Sequence, residues 1–410
     1  MKAVIMAAGK STRTVPLTLT RPKPLLKVLN KPILAHQLDA LRGVIDEAVI
    51  IVGYRKEMVQ MAFGTSYEGI RLSYVEQAEQ LGTGHALLQC ADRMKEPFLA
   101  MNGDDLYAAC DLARLAAAEQ ACLVKRVSDP RLYGICEVTD GDRLTQLIEK
   151  PVEITSDLAS IGAYKFTQAV FDVLRKLEPS PRGEIELTDG VQKLAEISDF
   201  RVVEVSGYWM PIGYAWNLLE ANEYFIDTFL ERGIHGEVSP AAHINGRVYI
   251  GEGSVVRSGV VIDGPVYIGK HCSVGPNCWL RPGATLCNGA KVGHAVEIKN
   301  SILCDGATVP HLSYVGDSII GEKTNLGAGT ITANLRHDGA NISSFVNGKM
   351  VDTGRRKLGA IIGDNVHTGI NTCLFPGRKL WPNVMTFPGE SIRRDVTDVE
   401  RLPQGYPTHG

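Results

Sequence analysis

A glycine followed by hydroxyl groups and cations stands near the start of the chain, directly after a short apolar run. The turn "GKSTR" covers residues 9–13, and Lys23 follows in "RPKP". Backbone N–H groups in such a turn bind phosphate oxygens, and a helix that begins there adds the positive end of its dipole. Arg13 and Lys23 supply charge that suits a triphosphate. The pattern indicates a phosphate-binding turn, although an ordinary loop after a strand has a similar composition.

Later segments carry the polar groups that such a site needs. Gln77, in "QAEQLGTGHAL", offers an amide that can read the edge of a base. Asp104, in "NGDD", ends an apolar run, and Mg²⁺ prefers one or two carboxylates beside substrate phosphates. Gly134 in "YGICEV" and the carboxylate of Glu149 in "IEKP" are suited to sugar hydroxyls. Together these segments favour the phosphate-binding interpretation.

A second polar group lies in the last third of the chain. A lone histidine is more often a satisfied turn residue than a base, but this one has two cations, a tyrosine and asparagines near it in sequence. The members are Arg281, Lys299, His311, Tyr314, Asn325 and Asn334, with "GAG" at 327–329 between the asparagines. The density of polar groups indicates a second site.

Short β-prone runs alternate with helical stretches over residues 1–213. Strands are expected at "KAVIMAA", "EAVIIVGY" and "PFLAMNGD", and an amphipathic helix at "ILAHQLDALRGV". This alternation predicts an α/β domain with a mostly parallel sheet, in which ligands bind at the carboxyl ends of the strands. "GKSTR" and "NGDD" stand at such ends. A single helix over residues 214–233, ending at Gly233 as a natural C′ residue, is expected to follow.

An aliphatic residue recurs every six positions after residue 244, often with glycine directly behind it. The frames are Ile250, Val256, Ile262, Ile268, Val274, Leu280, Leu286, Val292 and Ile298, with Cys304 as a tenth. This period is typical of a β-solenoid, whereas a β-sandwich, the alternative, would not keep phase for so long. The phase slips near Val309 and Val315 and resumes at Ile320, Leu326 and Ile362. Residues 335–358 lack the repeat and are expected to protrude as a loop.

Composition narrows the functional class. The chain has 410 residues, enough for two or three domains, and a net charge of −3, which argues against nucleic-acid binding. Neither a signal peptide nor an apolar run long enough to cross a membrane is evident, so no membrane partner is expected. The nine cysteines form no Cys-x-x-Cys pair, which favours free thiols and a cytoplasmic location.

The first 213 residues resemble the sugar-1-phosphate nucleotidylyltransferases, which join a nucleoside triphosphate (NTP) to a sugar phosphate and release pyrophosphate. The resemblance rests on "GKSTR" with "PK" downstream, "QAEQLGTGHA", "GEIELTDG" at 183–190 and "GYWMPIG" at 207–213. It implies a Rossmann-like fold and Mg²⁺ held by Asp104. It also implies catalytic roles for Arg13 and Lys23, nucleotide binding by Ala8, Gly9, Gln77, Gly82 and Thr83, and sugar-phosphate binding by Gly134, Glu149 and Ser160.

Three positions depart from the pattern of that family. Ser11 stands where the turn has a second glycine, so a side chain lies where the backbone would approach phosphate. Ser160 replaces an asparagine near the sugar. Pro211, in "WMPIG", replaces the aspartate that serves as second metal ligand, and a proline side chain cannot coordinate Mg²⁺. We expect nucleotidyl transfer to be weakened, unless another carboxylate such as Asp105 compensates.

Residues 235–393 resemble the left-handed parallel β-helix acetyltransferase half of bifunctional N-acetylglucosamine-1-phosphate uridylyltransferases, in their archaeal and thermophile form. "HLSYVGDSIIGEKTNLGAGTITANL" and "GKMVDTGRRKLGAIIGDNVHTGIN" carry this resemblance. It implies that His311 is the general base for attack of a hexosamine-1-phosphate amine on acetyl-CoA, and that the N–H of Ala328 stabilises the oxyanion. It also implies acceptor binding by Arg281, Lys299, Tyr314 and Asn325, acetyl-CoA binding by Asn334, Arg355 and Lys357, and a homotrimer.

The predicted organisation is a nucleotidylyltransferase domain over 1–213, a linker helix over 214–233, a β-helix acetyltransferase domain over 235–393 and a C-terminal tail over 394–410. The leading hypothesis is an enzyme that acetylates glucosamine-1-phosphate or an epimer. It would then join the product, or glucose-1-phosphate, to UTP or dTTP. One alternative is a glucose-1-phosphate thymidylyltransferase-like enzyme with a structural solenoid. Another, kept open by Pro211, is a non-catalytic protein that binds nucleotide sugars.

Overall fold

The computed structural model describes residues 1–139 and 141–397, so most of the predicted C-terminal tail lies outside the described residues. The described chain forms two compact units. The first comprises Met1–Lys10, Pro22–Leu25 and Pro32–Pro211, and the second comprises Ser11–Arg21, Leu26–Lys31 and the chain from Ile212 onward. Among the helices described, none is long and apolar enough to cross a membrane.

The described residues among the first 211 form fourteen strands and six α-helices, besides short 3₁₀ turns. The strands are β1 (Lys2–Met6), β2 (Lys27–Val28), β3 (Lys31–Pro32), β4 (Glu47–Val52), β5 (Ser66–Tyr67), β6 (Ile70–Glu76), β7 (Phe98–Asn102), β8 (Asp105–Tyr107), β9 (Ala121–Arg126), β10 (Gly134–Val138), β11 (Leu144–Glu149), β12 (Leu158–Phe166), β13 (Arg201–Glu204) and β14 (Trp209–Pro211). The helices are α1 (Ile33–Ala40), α2 (Lys56–Phe63), α3 (Thr83–Leu88), α4 (Ala109–Ala117), α5 (Ala169–Leu174) and α6 (Leu187–Ile197).

The first unit is built on a ten-stranded sheet in the order β11-β10-β12-β7-β1-β4-β6-β5, with β9 next to β12 and β13 next to β9. Its centre, β7-β1-β4-β6, is parallel, and the predicted strands at β1, β4 and β7 are present. The sheet as a whole is mixed rather than mostly parallel, because β12 runs antiparallel to β7, β9 and β10. Strands that follow one another without a crossover helix pair in this way.

The carboxyl ends of β1 and β7 lie side by side, with Met6 opposite Asn102. The N–H of Gly103 donates to the carbonyl oxygen of Met6 at 2.9 Å. A Cβ on Gly103 would lie 2.6 Å from that oxygen, so only glycine allows this approach. The geometry brings the chain after β1 close to the "NGDD" segment after β7.

The second unit contains helix α7 (Asn217–Phe229) and the remaining strands. These are β15 (Gly233–Ile234), β16 (Glu237–Val238), β17 (His243–Asn245), β18 (Val248–Ile250), β19 (Val255–Val256), β20 (Val261–Asp263), β21 (Val266–Ile268), β22 (Ser273–Val274), β23 (Trp279–Leu280), β24 (Thr285–Leu286), β25 (Lys291–His294), β26 (Glu297–Lys299), β27 (Ile302–Leu303), β28 (Thr308–His311), β29 (Tyr314–Gly316), β30 (Ile319–Ile320), β31 (Ile331–Thr332), β32 (Ser343–Val346), β33 (Lys349–Asp352), β34 (Ile361–Ile362), β35 (Cys373–Leu374), β36 (Lys379–Leu380) and β37 (Ser391–Ile392).

Helix α7 is shorter than the predicted helix over 214–233. It ends at Phe229, and Gly233 begins β15, where it lies opposite Tyr249 of β18. Gly233 was expected to be a helix C′ residue, which needs a positive φ, but it does not adopt one. Pairing with the first repeats therefore decides its conformation.

The repeats form three parallel sheets, in the orders β15-β18-β21-β24-β27-β30-β34-β36, β16-β19-β22-β25-β28 and β17-β20-β23-β26-β29-β31-β35-β37. Ile250 lies opposite Ile268, and Val256 opposite Val274. Each six-residue frame therefore supplies one strand, and three frames complete a coil. The aliphatic residues of successive coils stack into one buried core, which confirms the predicted solenoid.

Two details of the solenoid differ from the expectation. Leu303, not Cys304, fills the tenth core position, because Leu303 lies opposite Leu286 and is completely buried. This coil is one residue short, so the phase slips before Val309. The loop over 335–358 contains an antiparallel hairpin, β32 with β33, in which Ser343 lies opposite Asp352.

Candidate active sites

Lys23 and Asp104 form an ion pair in the first unit. Lys23 lies in a short 3₁₀ turn, Lys23–Leu25, and is only 3 % exposed. Its Nζ donates to Oδ2 of Asp104 at 2.7 Å, and the Asp104 side chain remains 39 % exposed. The structure thus brings together the cation assigned to phosphate and the carboxylate assigned to metal.

Asp105 is a poor substitute for a second metal ligand. Its carboxylate is buried and accepts hydrogen bonds from Asn102 at 3.3 Å and Tyr107 at 3.2 Å. Burial, followed by the charge of Asp104, raises the pKa of Asp105 to about 7. Pro211 lies directly opposite Asp105 in the β14–β8 ladder and brings no ligand. In the part of the chain that the structure describes, no group of three or more His, Cys, Asp or Glu residues could hold a metal ion. Of these two carboxylates only that of Asp104 is partly exposed, and one carboxylate would suffice for Mg²⁺ where substrate phosphates and water supply its other ligands.

The segment predicted to bind the base is hydrogen-bonded to the segment "GEIEL" at 183–187. Gly82 has a φ of +102° and packs so closely on Ile185 that a Cβ would lie 2.6 Å from its carbonyl oxygen. The hydroxyl of Thr83 accepts from the N–H of Leu187 at 3.1 Å. Nε2 of Gln77, which is buried, donates to the carbonyl of Gly82 at 3.2 Å. Gln77, Gly82 and Thr83 are therefore all held in place by hydrogen bonds or close packing.

The three residues assigned to the sugar phosphate lie on neighbouring strands. Gly134 of β10 lies opposite Glu149 of β11 and Ser160 of β12. A Cβ on Gly134 would lie 3.2 Å from Oε2 of Glu149, so glycine leaves that carboxylate accessible. Ser160 is buried, and its hydroxyl donates to the phenol oxygen of Tyr164 at 3.2 Å. Ser160 is thus already engaged within the protein.

The first and second halves of the glycine turn belong to different units. In the first unit, the carbonyl of Ala8, directly before Gly9, accepts from Nε2 of Gln80 at 2.9 Å. In the second, Ser11 adopts a left-handed conformation with φ 53° and ψ 52°. This conformation favours glycine and costs a residue with a Cβ on the order of 1 kcal/mol. The guanidinium of Arg13 lies 5.4 Å from the ring centroid of Tyr214, a contact that the sequence did not indicate.

Asp317 is the centre of the polar cluster in the second unit, and sequence reasoning missed it. Its carboxylate, 2 % exposed, accepts from Nζ of Lys299 at 3.1 Å and from Asn300 at 2.8 Å. Asn334 donates to Asp317 and, at 3.1 Å, to the phenol oxygen of Tyr314. Because a buried charge requires partners, Asp317 fixes the positions of Lys299 and Asn334. Its place in "YVGDS", one residue beyond a core strand, was the available signal.

A cleft of about 680 Å³ opens beside this cluster. It is lined by Glu223, Lys299, Asn300, Asp317, Leu335, Arg355, Arg356 and Lys357. Arg355 pairs with Glu223 and, at 3.8 Å, with Glu220, both on α7. Arg355 and Lys357 therefore share a cleft with Lys299, and its cations outnumber its acids, which suits an anionic ligand.

Arg281 lies one strand below Glu297 on the same sheet. Its guanidinium donates to Oε1 of Glu297 at 2.6 Å and lies 4.7 Å from the ring centroid of Trp279. Glu297 lies opposite Tyr314 in the next coil. Arg281 is therefore oriented by an ion pair and an aromatic face beneath Tyr314.

His311 ends β28 and is exposed, directly opposite His294 of the coil below. The N–H of Gly329 donates to its carbonyl oxygen at 3.3 Å, which places the "GAG" turn on the next coil above His311. Within the described ranges, no group accepts a hydrogen bond from the N–H of Ala328. Asn325 continues the column, paired with Thr308 on one side and His367 on the other.

Known proteins resemble this chain along most of its length. The nucleotidyl transferase family matches residues 2–228, and the GMPPB C-terminal domain matches residues 262–383. A bifunctional protein GlmU from Methanococcus maripaludis strain C5 is 41 % identical over 398 residues, which cover 97 % of this chain and 95 % of that protein. A bifunctional sugar-1-phosphate nucleotidylyltransferase/acetyltransferase from Sulfurisphaera tokodaii is 39 % identical over 403 residues, 97 % of this chain and 98 % of that protein.

Two further matches cover less of the chain. A glucose-1-phosphate thymidylyltransferase from Streptomyces griseus is 33 % identical over 330 residues, 78 % of this chain and 92 % of that protein. A crystal structure of UDP-glucose pyrophosphorylase complexed with UDP-glucose superposes with a TM-score of 0.52 at 25 % identity, covering 55 % of this chain and 98 % of that one. These matches confirm the predicted fold class, a Rossmann-like domain followed by a left-handed parallel β-helix. The chain belongs to the nucleotidyl transferase family, among its bifunctional, GlmU-type sugar-1-phosphate nucleotidylyltransferase/acetyltransferases.

Proposed function

We propose that the chain is a bifunctional enzyme of nucleotide-sugar synthesis. It transfers the acetyl group of acetyl-CoA to the amine of glucosamine-1-phosphate or an epimer. It also transfers a nucleotidyl group from UTP or dTTP to the acetylated sugar phosphate, or to glucose-1-phosphate, and releases pyrophosphate. The polar cluster around Asp317, in a chain 41 % identical to a bifunctional GlmU along nearly its whole length, carries this proposal.

Acetyl transfer begins with attack of the acceptor amine on the thioester carbonyl. A C–N bond forms, the C–S bond breaks, and CoA leaves as the thiol. His311, exposed at the end of β28, takes the proton that the nitrogen loses. The N–H of Ala328 on the adjacent coil donates to the oxyanion. Exposure of the imidazole supports this role, because the base must reach a substrate.

The charges of the cleft support an anionic acceptor and an anionic donor. Lys299 and Arg281 bind the phosphate of the acceptor, and Tyr314 and Asn325 orient its sugar. We assign the phosphates of acetyl-CoA to Asn334, Arg355 and Lys357, of which the last two line the cleft. Binding of either anion competes with the ion pair that Arg355 makes with Glu223.

Nucleotidyl transfer requires positive charge where the α-phosphate is attacked. Arg13 and Lys23 supply it from the chain, while Ala8, Gly9, Gln77, Gly82 and Thr83 hold the nucleotide, and Gly134, Glu149 and Ser160 the sugar phosphate. Mg²⁺ held by Asp104 would add charge neutralisation of the phosphates. Because Pro211 offers no second carboxylate, we propose that nucleotidyl transfer is weakened relative to family members that carry an aspartate at this position.

Other features concern assembly and location. Leu312, Ile370 and Phe387 remain exposed at one corner of the solenoid, at 62 %, 54 % and 39 %, with Leu312 two coils before Ile370 and Phe387 one coil after it. A partner solenoid would cover such a column, which supports a homotrimer. The nine cysteines are all free thiols, which supports a cytoplasmic location.

A substrate panel tests the proposal. NTPs and sugar-1-phosphates are assayed for pyrophosphate release, with and without acetyl-CoA, and thiol release is followed in parallel. We expect thiol release with glucosamine-1-phosphate that His311→Ala abolishes, and slow pyrophosphate release. Normal pyrophosphate release without thiol release from any hexosamine phosphate overturns the acetyltransferase half. Binding of nucleotide sugars without either activity makes the chain a binding protein.

A second candidate is a glucose-1-phosphate thymidylyltransferase-like activity. The similarity to the Streptomyces griseus enzyme favours it, at 33 % identity. The amide of Gln77 pairs with uracil or thymine alike, so the panel must include both UTP and dTTP. Preference for dTTP with glucose-1-phosphate, together with absent thiol release, would select this candidate.

A further inference from the structure

The turn that carries Arg13 is anchored on the solenoid through Arg21. Residues Ser11–Arg21 and Leu26–Lys31 belong to the same compact unit as the repeats. The guanidinium of Arg21, 14 % exposed, pairs with both Glu322 and Asp364. The hydroxyl of Thr20 donates to the same Asp364 carboxylate at 2.6 Å. Burial tends to lower the pKa of Arg21, but Glu322 and Asp364 raise it above its ordinary value. Arg21 therefore forms a largely buried ion pair with two carboxylates rather than a surface contact.

The acids that receive Arg21 form a column along one corner of the solenoid. Asp305, Glu322 and Asp364 lie on successive coils, since the N–H of Lys323 donates to the carbonyl of Asp305 and that of Asn365 to the carbonyl of Glu322, both at 2.9 Å. Like charges stacked in this way repel one another. Lys27 pairs with Asp305 at 2.5 Å, so Arg21 and Lys27 together contact all three acids of the column.

Two threonines between Arg13 and Arg21 fold this segment around the carbonyl of Ser11. The carbonyl of Ser11 accepts from the hydroxyls of Thr14 at 2.8 Å and Thr18 at 2.9 Å. Thr18 is buried, three residues before Arg21. These bonds hold the left-handed Ser11 and the 3₁₀ turn Thr12–Thr14 in one shape.

The solenoid also contacts the Arg13 turn at its other side. Asn347, at the tip of the β32–β33 hairpin, donates to the hydroxyl of Thr12 at 3.1 Å. The ring of Tyr214 supports the guanidinium of Arg13. Arg13 is therefore held by groups that belong to the second unit.

We propose that Glu322 and Asp364, residues of the solenoid, are positioning residues for nucleotidyl transfer, acting through Arg21 on the placement of Arg13. The inference rests on the proposed nucleotidyl transfer and on the assignment of Arg13 to it.

The test compares both activities in isosteric variants. Asp364→Asn and Glu322→Gln each remove one charge that faces Arg21 and keep the size of the side chain. We expect kcat for pyrophosphate release to fall roughly tenfold to a hundredfold, as for a misplaced catalytic group. Thiol release should stay within about twofold, because neither residue lines the acetyl-transfer cleft. Asp338→Asn, which removes an equivalent partner from the exposed Arg336 pair, is the matched control and should change neither activity.

A double-mutant cycle separates positioning from general stability. Arg13→Gln alone should lose pyrophosphate release. Asp364→Asn added to it should lower the rate little further, because Asp364 affects this reaction only through the placement of the Arg13 guanidinium. If the rate losses of Arg13→Gln and Asp364→Asn multiply in the double variant, the inference is overturned. It is also overturned if thiol release and melting temperature of Asp364→Asn fall together with pyrophosphate release. An active wild type with unaffected Asp364→Asn and Glu322→Gln variants overturns the positioning role alone. A wild type without pyrophosphate release overturns the proposed nucleotidyl transfer, and the positioning role with it.

Discussion

Replacement of His311 by asparagine isolates the proton-transfer step of the proposed acetyl transfer. Asparagine keeps a polar side chain of similar length but cannot take a proton near neutral pH. His311 is exposed, and no residue in the described ranges hydrogen-bonds its imidazole. The change should therefore leave the free energy of unfolding within about 0.5 kcal/mol of the wild type.

The size of the effect follows from the exposure of the site. A positioned general base contributes about 10²–10⁴-fold in rate. Because water also reaches the end of β28 and can accept the proton, we expect a loss near the lower end, about 10²–10³-fold. This corresponds to roughly 3–4 kcal/mol of activation free energy.

The assay is thiol release from acetyl-CoA at saturating glucosamine-1-phosphate. His294→Asn is the matched control, because His294 is also exposed and lies opposite His311 one coil below. We expect full acetyl transfer in this control and unchanged pyrophosphate release in both variants. A His311→Asn chain that keeps more than a third of the wild-type kcat would refute the general-base assignment. Equal losses in the two variants would show that the corner of the solenoid, rather than a base, was disturbed.

Three further predictions address the metal site, the repeats and a buried charge. Pro211→Asp should raise pyrophosphate release by roughly tenfold and tighten Mn²⁺ binding measured by electron paramagnetic resonance, because it adds a second carboxylate; Met210→Asp is the control, and equal gains in both would contradict the site. Ile298→Ala, at a completely buried position, should cost about 2–5 kcal/mol in urea unfolding, and a loss below about 1 kcal/mol would contradict its place in the core. Burial lowers the pKa of Lys379 from 10.5 to about 8, so the folded state binds fewer protons than the unfolded state between these pH values, and stability rises with pH there by about 3 kcal/mol. In Lys379→Met the free energy of unfolding, measured at several pH values between 8 and 10.5, should no longer rise with pH. A pH dependence equal to that of the wild type would refute its assignment to Lys379.

Local rules predicted the elements that contain their own signal. The apolar runs at β1, β4 and β7 were found because buried parallel strands are apolar on both faces. The mixed character of the sheet was not predictable in this way, since the antiparallel pairing of β12 with β7 joins residues such as Ala163 and Met101, which are far apart in the chain. Helix α7 was predicted too long because Gly233 was judged by its local preference, whereas strand pairing decided its conformation.

The candidate sites show the same division. Lys23, Asp104, Lys299 and Asn334 could be named from residue type and motif, because phosphates and metals demand particular groups. Asp317 could not, since an aspartate after a strand is ordinary until its burial and its three partners are known.

The sequence by itself determined the two kinds of architecture, the order in which they occur and the residue types available for chemistry. A six-residue period predicts a solenoid, because each frame must bury one aliphatic side chain and does so by stacking on the coils next to it. Only the tertiary structure decided that Arg21 meets Glu322 and Asp364, that Tyr214 lies under Arg13, and that Pro211 stands opposite Asp105. Such contacts join residues whose proximity depends on how whole elements pack, and no local preference of the chain encodes that packing.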